Sequence, residues 1–595
     1  MSMILARTRA VFLAIAVLYL DCAFAQPPQP LGPPVSITVP GPVVRPGPVI
    51  VPDPRDSDYV DPPLGIRPGA VPARKLGRDT FAGLPIDALW TKIRASDGNA
   101  IIGIKTPGAR RGVWKATRLI ARPEVESYAK RIAATAGVDS ITYRDPLLPV
   151  VVARLTDRAA LEAIKRLPYV DYVEPGNLEL QPLVGCGRTL VTWGSVIDTS
   201  GDIVPRAFPL NGIDRAWKRN VSGHGVNIGV VDTGLYRAQQ EFWPERFSSV
   251  ISGGRSIRYG TCTTQQCLDA MPASAFDECN HGTRIAGAIA APRDGANIVG
   301  VAFGSNLHAV KVADGVWSDD PVTDISHLLG IRAVRNAGAR IIEMAFGGTF
   351  TSFFLADEIA LQHNRIDRPG VLFVGAAGTL LCPFWAPVSF PARLPEVLAV
   401  TGVNRDGSLA TEVCTGPQVD LAAVLEDFET TGDTLGSVIT LGGSSGASAL
   451  VSGIAALVWS QNPTMTRDEV RDRLQATAWR SGPLGVGVVD AYAATGGIRS
   501  ARITGPSGVV SANQTFTLQT SIIGAGPFSF LWDRGETSAS VSRTGPGTSS
   551  VSVRDLTDNN VIELRFVARA TGSKPVPVIS DKVCRSRPWL AGCNP

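Results

Sequence analysis

The sequence predicts an α/β protein: a mostly parallel sheet with helices on both faces, preceded by a ferredoxin-like α+β unit and followed by a small β-sandwich. Three observations predict it. From Asn211 to about Thr495, apolar runs such as 226–231, 307–312 and 371–376 alternate with helix-length segments, the pattern of parallel strands buried on both faces. Upstream, between Ala100 and Val173, the hydrophobic period switches in the order β-α-β-β-α-β, the split βαβ arrangement. After about Gly497 the period becomes two, with Gly and Pro between short apolar segments, as in an antiparallel sandwich.

The amino end sets the compartment. Arg7 and Arg9 precede an apolar run at 11–20, and Ala23, Phe24 and Ala25 offer small residues at alternate positions, so a cleaved leader is expected over 1–25. That run is half the length of the about 20 residues a membrane helix needs, and no later stretch qualifies, so no membrane span is expected. Pro, Gly and Val dominate 26–73 without any period, which reads as a linker. Strands at 100–105, 140–143, 150–155 and 169–173 then combine with helices at 124–136 and 157–167. Val125, Tyr128 and Ile132 share one face of the first helix, and Ala160, Leu161, Ile164 and Leu167 one face of the second. In the central segment, strands are expected at 226–231, 307–312, 340–346 and 371–376, and 445–459 reads as a buried helix, apolar on nearly every side. Strands at 516–522, 528–532, 551–553 and 561–567 complete the tail, where Trp532 in a strand resembles Ig-like modules in architecture alone.

Eight of the nine cysteines remain once the leader is removed, an even number suited to disulfides in an oxidising compartment. Cys262 with Cys267 and Cys584 with Cys593 are the local candidates among 105 connectivities. A net charge of +4 without any Lys/Arg block argues against nucleic acid or an anionic membrane as partner.

Three short motifs carry the chemistry. Acyl transfer near neutral pH needs a nucleophile, a base to activate it and a third group to orient the base. Asp232-Thr233-Gly234 follows a strand, where open α/β sheets place their ligand sites; His281-Gly282-Thr283 opens a helix; Ser445 lies in Gly443-Ser444-Ser445-Gly446 at the amino end of the buried helix, where free N–H groups favour a developing anion. A second Asp-Thr-Gly, which an aspartic protease needs, is absent.

The order Asp, His, Ser, 49 and then 164 positions apart, resembles the subtilisin-like serine proteases, and Gly487-Val488-Val489-Asp490-Ala491 is similar to that family's closing signature. The resemblance implies a serine endopeptidase acting on protein or peptide substrates, with Asp232, His281 and Ser445 as its triad and no cofactor required. It implies backbone walls for the substrate at Ala345, Phe346, Gly347 and Gly348 and at Ala376, Ala377 and Gly378. Thr379 stands where the family carries an oxyanion-binding Asn, and Glu241 and Asp294 stand where relatives bind a structural calcium ion. Asn280, Arg284, Ser444, Gly446, Ala449 and Ala345 also depart from the usual residues, so a catalytically impaired binding or adhesion protein is the alternative. The family's amino-terminal inhibitory domain resembles the ferredoxin-like unit. The expected organisation is then a signal peptide at 1–25, a Pro-rich linker at 26–95 and an inhibitor-like propeptide at 96–182. A peptidase domain follows at 183–498 and the sandwich at 499–595. The chain's own propeptide would be an intramolecular inhibitor, cut between about Leu178 and Ser200, and the product secreted or periplasmic.

Overall fold

The computed structural model describes residues 80–579, with internal exceptions of which the largest are 106–121, 183–195, 236–276, 314–323 and 380–387. The expected leader, residues 26–79 of the linker, Glu241 and six of the eight cysteines lie outside the described residues.

The amino-terminal unit runs α1 (Ile86–Ala95), β1 (Asn99–Ile104), α2 (Arg122–Ala133), β2 (Val138–Arg144), β3 (Val150–Leu155), α3 (Arg158–Arg166) and β4 (Val170–Pro175). Its antiparallel sheet has the order β2-β3-β1-β4, the expected ferredoxin-like arrangement. Asp157 caps α3 through the Ala160 N–H, and Ala160, Leu161 and Ile164 face the core as their spacing requires. The linker reading of 26–95 fails at its carboxyl end. Thr80 caps a 3-10 turn, and α1 buries Leu89 and Ile93, four residues apart, in the core of this unit. Two apolar anchors on ten residues were too short a signal to register beside the Pro-rich stretch.

The central sheet has eight strands. Seven are parallel: β6 (Asn227–Asp232), β7 (Asn306–Lys311), β8 (Ile341–Met344), β10 (Leu372–Ala376), β11 (Val397–Val403), β12 (Leu421–Val424) and β14 (Gly487–Val488). β13 (Trp479–Arg480) adds an antiparallel edge, giving the order β13-β14-β12-β11-β10-β8-β6-β7. The connection reverses direction between β6 and β8, which makes the carboxyl ends of those two strands the natural place for a site. Helix α4 (His281–Ala290) and helix α7 (Gly443–Gln461) share one core with Ile341 and Ala345, while α5 (Asp324–Asn336) packs on the other face against Ile342 and Met344. Among the described residues only α7 is long and apolar enough to cross a membrane, and 89% of that stretch is buried inside the protein, so it is a core helix.

The carboxyl-terminal strands form two antiparallel sheets, one of three strands and one of four, around Leu518, Trp532, Val551, Val553 and Leu564. Two strands that sequence reading omitted, Ser500–Thr504 and Ser540–Thr544, belong to the first sheet.

Both outer units contact the central one. Tyr143, Leu148, Val150 and Tyr172 share an apolar cluster with Leu328 and Phe354. Arg332 on α5 bridges Asp145 of the amino-terminal unit (3.0 and 3.1 Å) and Glu358 on α6 (Phe353–Asn364; 3.0 and 2.6 Å). Glu174, fully buried at the end of β4, accepts from Ser352 Oγ (2.8 Å) and from the Phe353 N–H (2.7 Å) at the amino end of α6.

Candidate active site

Asp232 ends β6 and is 3% exposed; His281 begins α4 and is fully buried. Their approach depends on two glycines. Gly234 turns the chain at φ +110°, and a Cβ on Gly282 would stand 2.2 Å from the Gly234 carbonyl oxygen, so only glycine lets the first turn of α4 lie on this loop. His281 Nδ1 is then 2.8 Å from Asp232 Oδ1, which also accepts the Thr233 N–H at 2.7 Å. A carboxylate only accepts, so Nδ1 carries a proton, and in the neutral imidazole the lone pair is on Nε2. Nε2 has no hydrogen-bond partner among the described residues.

A buried acid that sequence reading did not single out fixes this pair. Asp277 accepts from the Asn280 N–H (2.7 Å), the Thr283 N–H (2.8 Å), Thr283 Oγ1 (2.7 Å) and Thr233 Oγ1 (2.7 Å), and Thr233 Oγ1 takes the Gly282 N–H (2.9 Å). It thereby supplies the amino end of α4 with the acceptors that Asn280, in a left-handed conformation, does not. Burial pushes the Asp277 carboxyl up, against the lowering effect of its Thr233 and Thr283 bonds.

Ser445 occupies the first turn of α7, fully buried. Its Oγ donates to the Ala345 carbonyl at 3.3 Å and not to His281, so the bond between imidazole and carboxylate is formed while Ser445 and His281 are not joined. Thr379 lies beside the same turn. The Gly378 N–H donates to Ser444 Oγ (2.9 Å), the Ser444 N–H donates to Thr379 Oγ1 (3.2 Å), and the two hydroxyls are 3.2 Å apart.

The two expected walls differ. Phe346 and Gly347 form β9 (Phe346–Gly347), which pairs antiparallel with β5 (Gln181–Pro182), in the register Phe346 to Pro182 and Gly347 to Gln181. Gly348 is paired with Phe390 in both directions (2.9 and 3.0 Å). The Ala377 N–H donates to the Val400 carbonyl, the Ala377 carbonyl accepts from the Ser389 N–H and the Gly378 carbonyl from the Cys414 N–H, so this second segment, with Ala376 buried in β10, offers shape and no spare pairing at those groups. His327 on α5, its basicity pushed down to about 4 by burial, stands edge-on to Phe346 with ring centroids 4.5 Å apart. Asp294 donates its N–H to the fully buried Asp202 at 3.3 Å; no cluster of three possible metal ligands occurs among the described residues.

Glu343, inside β8, is fully buried and, among the described residues, bonds to Ser448 and Ser452 of α7. A single acid in an apolar strand gives no local pattern by which sequence reading could find it.

Comparison with known proteins agrees with this fold. The model of the subtilase family matches residues 223–507. The chain is 31% identical over 400 residues to the thermostable alkaline protease of Halalkalibacterium halodurans, covering 67% of this chain and 96% of that one. It is 31% identical over 285 residues to subtilisin Savinase of Lederbergia lenta, covering 47% of this chain and 94% of that one. In structure it is similar to fervidolysin from Fervidobacterium pennivorans, with a TM-score of 0.51 at 17% identity over 81% of this chain and 92% of that one, which bears on the fold alone.

Proposed function

The chain belongs to the subtilase family of serine proteases, and from that premise we propose that it is an endopeptidase in which Ser445 is the nucleophile, His281 the base and Asp232 the residue that orients it. The observation that carries the reading is the buried 2.8 Å bond between His281 Nδ1 and Asp232 Oδ1, which leaves Nε2 with a lone pair and no partner. The scheme requires Ser445 Oγ to leave the Ala345 carbonyl for Nε2; catalytic bonds of this kind commonly form or tighten only when substrate binds. Oγ then attacks the scissile carbonyl as Nε2 accepts its proton, and the same proton passes to the leaving amine.

The oxyanion falls to the amino end of α7 and to Thr379. A count of hydrogens supports a donor role for Thr379. Ser444 Oγ accepts from Gly378 and can donate to Thr379 Oγ1, which also accepts the Ser444 N–H; with both lone pairs so used, the Thr379 hydrogen is the one left to give. Loss of one such donor costs about 10²- to 10³-fold in rate, a magnitude measured in subtilisin, a member of this same family.

The amino-terminal unit acts as the chain's own inhibitor. The pairing of Gln181–Pro182 with Phe346–Gly347 supports it, because the register leads towards Ala345, whose carbonyl meets Ser445 Oγ. The cut falls one residue beyond that pair, at Leu183–Val184, since the next residue in this register, Leu183, would face Ala345. Export is supported by Cys279 and Cys414, each disulfide-bonded. Calcium, if bound through Glu241 and Asp294, is structural. Secretion of Ser445→Ala tests the scheme. The variant should accumulate at full precursor length while the parent yields a mature amino terminus at Val184, and normal trimming of the variant would reject self-processing.

A further inference from the structure

Ser448 has more acceptors than hydrogens. Its hydroxyl meets Glu343 and, at 3.0 Å, the carbonyl oxygen of Ser445; one turn later, Ser452 meets the other carboxyl oxygen of Glu343. A hydroxyl has one hydrogen to donate. Were Glu343 an anion, both serines would have to donate to it, and Ser448 would face the Ser445 carbonyl with a lone pair. With Glu343 neutral, its O–H donates to Ser448, Ser448 donates to the Ser445 carbonyl, and Ser452 donates to the remaining carboxyl oxygen. Every polar atom is then satisfied.

The surroundings agree. Glu343 alternates with Ile342 and Met344, so it faces α7 and α4 and not α5, whose His327, Arg332 and Arg335 lie across the sheet. Helix α7 has no charged residue, and β10 has no titratable one. On α4 the charged or titratable residues are His281, turned onto Asp232, and Arg284; neither bonds to Glu343. Asp232, at the end of β6, is the charged group that acts on the carboxyl, and it opposes ionisation. Burial first, then Asp232, push the carboxyl up to about 8 despite the two serine bonds.

We propose that Glu343 works as a neutral carboxylic acid, a positioning residue that lets Ser448 hold the Ser445 carbonyl and so fixes the nucleophile's turn, and that its ionisation closes the active pH range on the alkaline side. The inference rests on reading Ser445 as the nucleophile. On losing its proton Glu343 draws the Ser448 hydrogen to itself, frees the Ser445 carbonyl and places a second negative charge near Asp232.

Glu343→Gln tests this, because an amide donates and accepts in the neutral pattern and cannot ionise. On the mature enzyme with a chromogenic peptide, kcat/KM at about pH 7 should stay within about twofold of the parent. Above about pH 8 the parent should fall and the variant persist, its alkaline limb displaced upward by about one unit or more. Coincident alkaline limbs would overturn the proposal. If the variant does not fold, the infrared carbonyl band of a buried protonated carboxyl in the parent decides: present at about pH 6 and lost by about pH 10 as expected, or absent at about pH 6, which overturns it. If the folded parent is not labelled at Ser445 by a fluorophosphonate, the nucleophile reading fails first, and the infrared band still judges the protonation of Glu343 separately.

Discussion

The central domain holds its two neighbours differently. On the amino-terminal side the boundary is partly a shared core: Tyr143, Val150 and Tyr172 mix with Leu328 and Phe354, and Phe81 stacks on Phe350 at 5.0 Å. The polar contacts there run through α5, α6 and β9, elements beside the site. On the carboxyl-terminal side the sandwich keeps a core of its own, and polar groups hold the join. Arg219 bonds to buried Asp555, to Thr557 Oγ1 (3.3 Å) and to the Thr495 carbonyl (3.0 Å), and Asn560 reaches Tyr492 (3.1 Å). None of these residues belongs to the site. A unit that adds a strand beside Phe346–Gly347, next to the Ala345–Ser445 contact, can govern activity; a unit joined, among the described residues, through polar contacts at Arg219 and Tyr492 can govern stability.

The contrast can be broken at its strongest point first. Arg332→Ala leaves Asp145 and Glu358 facing one another without their shared cation, and removal of one partner from a buried ion pair costs about 3–5 kcal/mol. After self-cleavage, the amino-terminal unit should leave such a variant on the order of 10²- to 10³-fold faster, as followed by native mass spectrometry, while kcat of the mature enzyme changes little. Arg219→Met strands Asp555 in the other interface. Its cost, about 3 kcal/mol, should appear as a lower unfolding midpoint of the mature enzyme, with release of the amino-terminal unit unchanged; a large fall in kcat would erase the distinction. Glu174→Gln removes the charge at the start of α6 and turns one of its two acceptor oxygens into a donor. About 1 kcal/mol, or roughly fivefold faster release, is expected by the same assay.

The sequence was most informative where local pattern and burial coincide. Val150–Leu155 is a strand with the expected bounds, and α7 is buried from Ser444 to Trp459 as its apolar perimeter required. Short strands such as Leu421–Val424, and the helix at 86–95, carry too few residues to establish a period. At the site, Asp232 and His281 could be paired from their motifs because glycine marks both turns. Asp277 and Glu343 could not, since what ties each to the site is a partner brought in by the fold, 44 residues away for Thr233 and 105 for Ser448. The open position of Ser445 against Ala345 was equally hidden, because a motif specifies a residue and not its rotamer.

Covalent labelling with a fluorophosphonate, mapped to a single peptide by mass spectrometry, addresses the central claim most directly. The native mature protein should carry the adduct on Ser445, and both prior denaturation and His281→Ala should abolish it. A folded, processed protein whose Ser445 stays unmodified under the same treatment would contradict the assignment of the nucleophile.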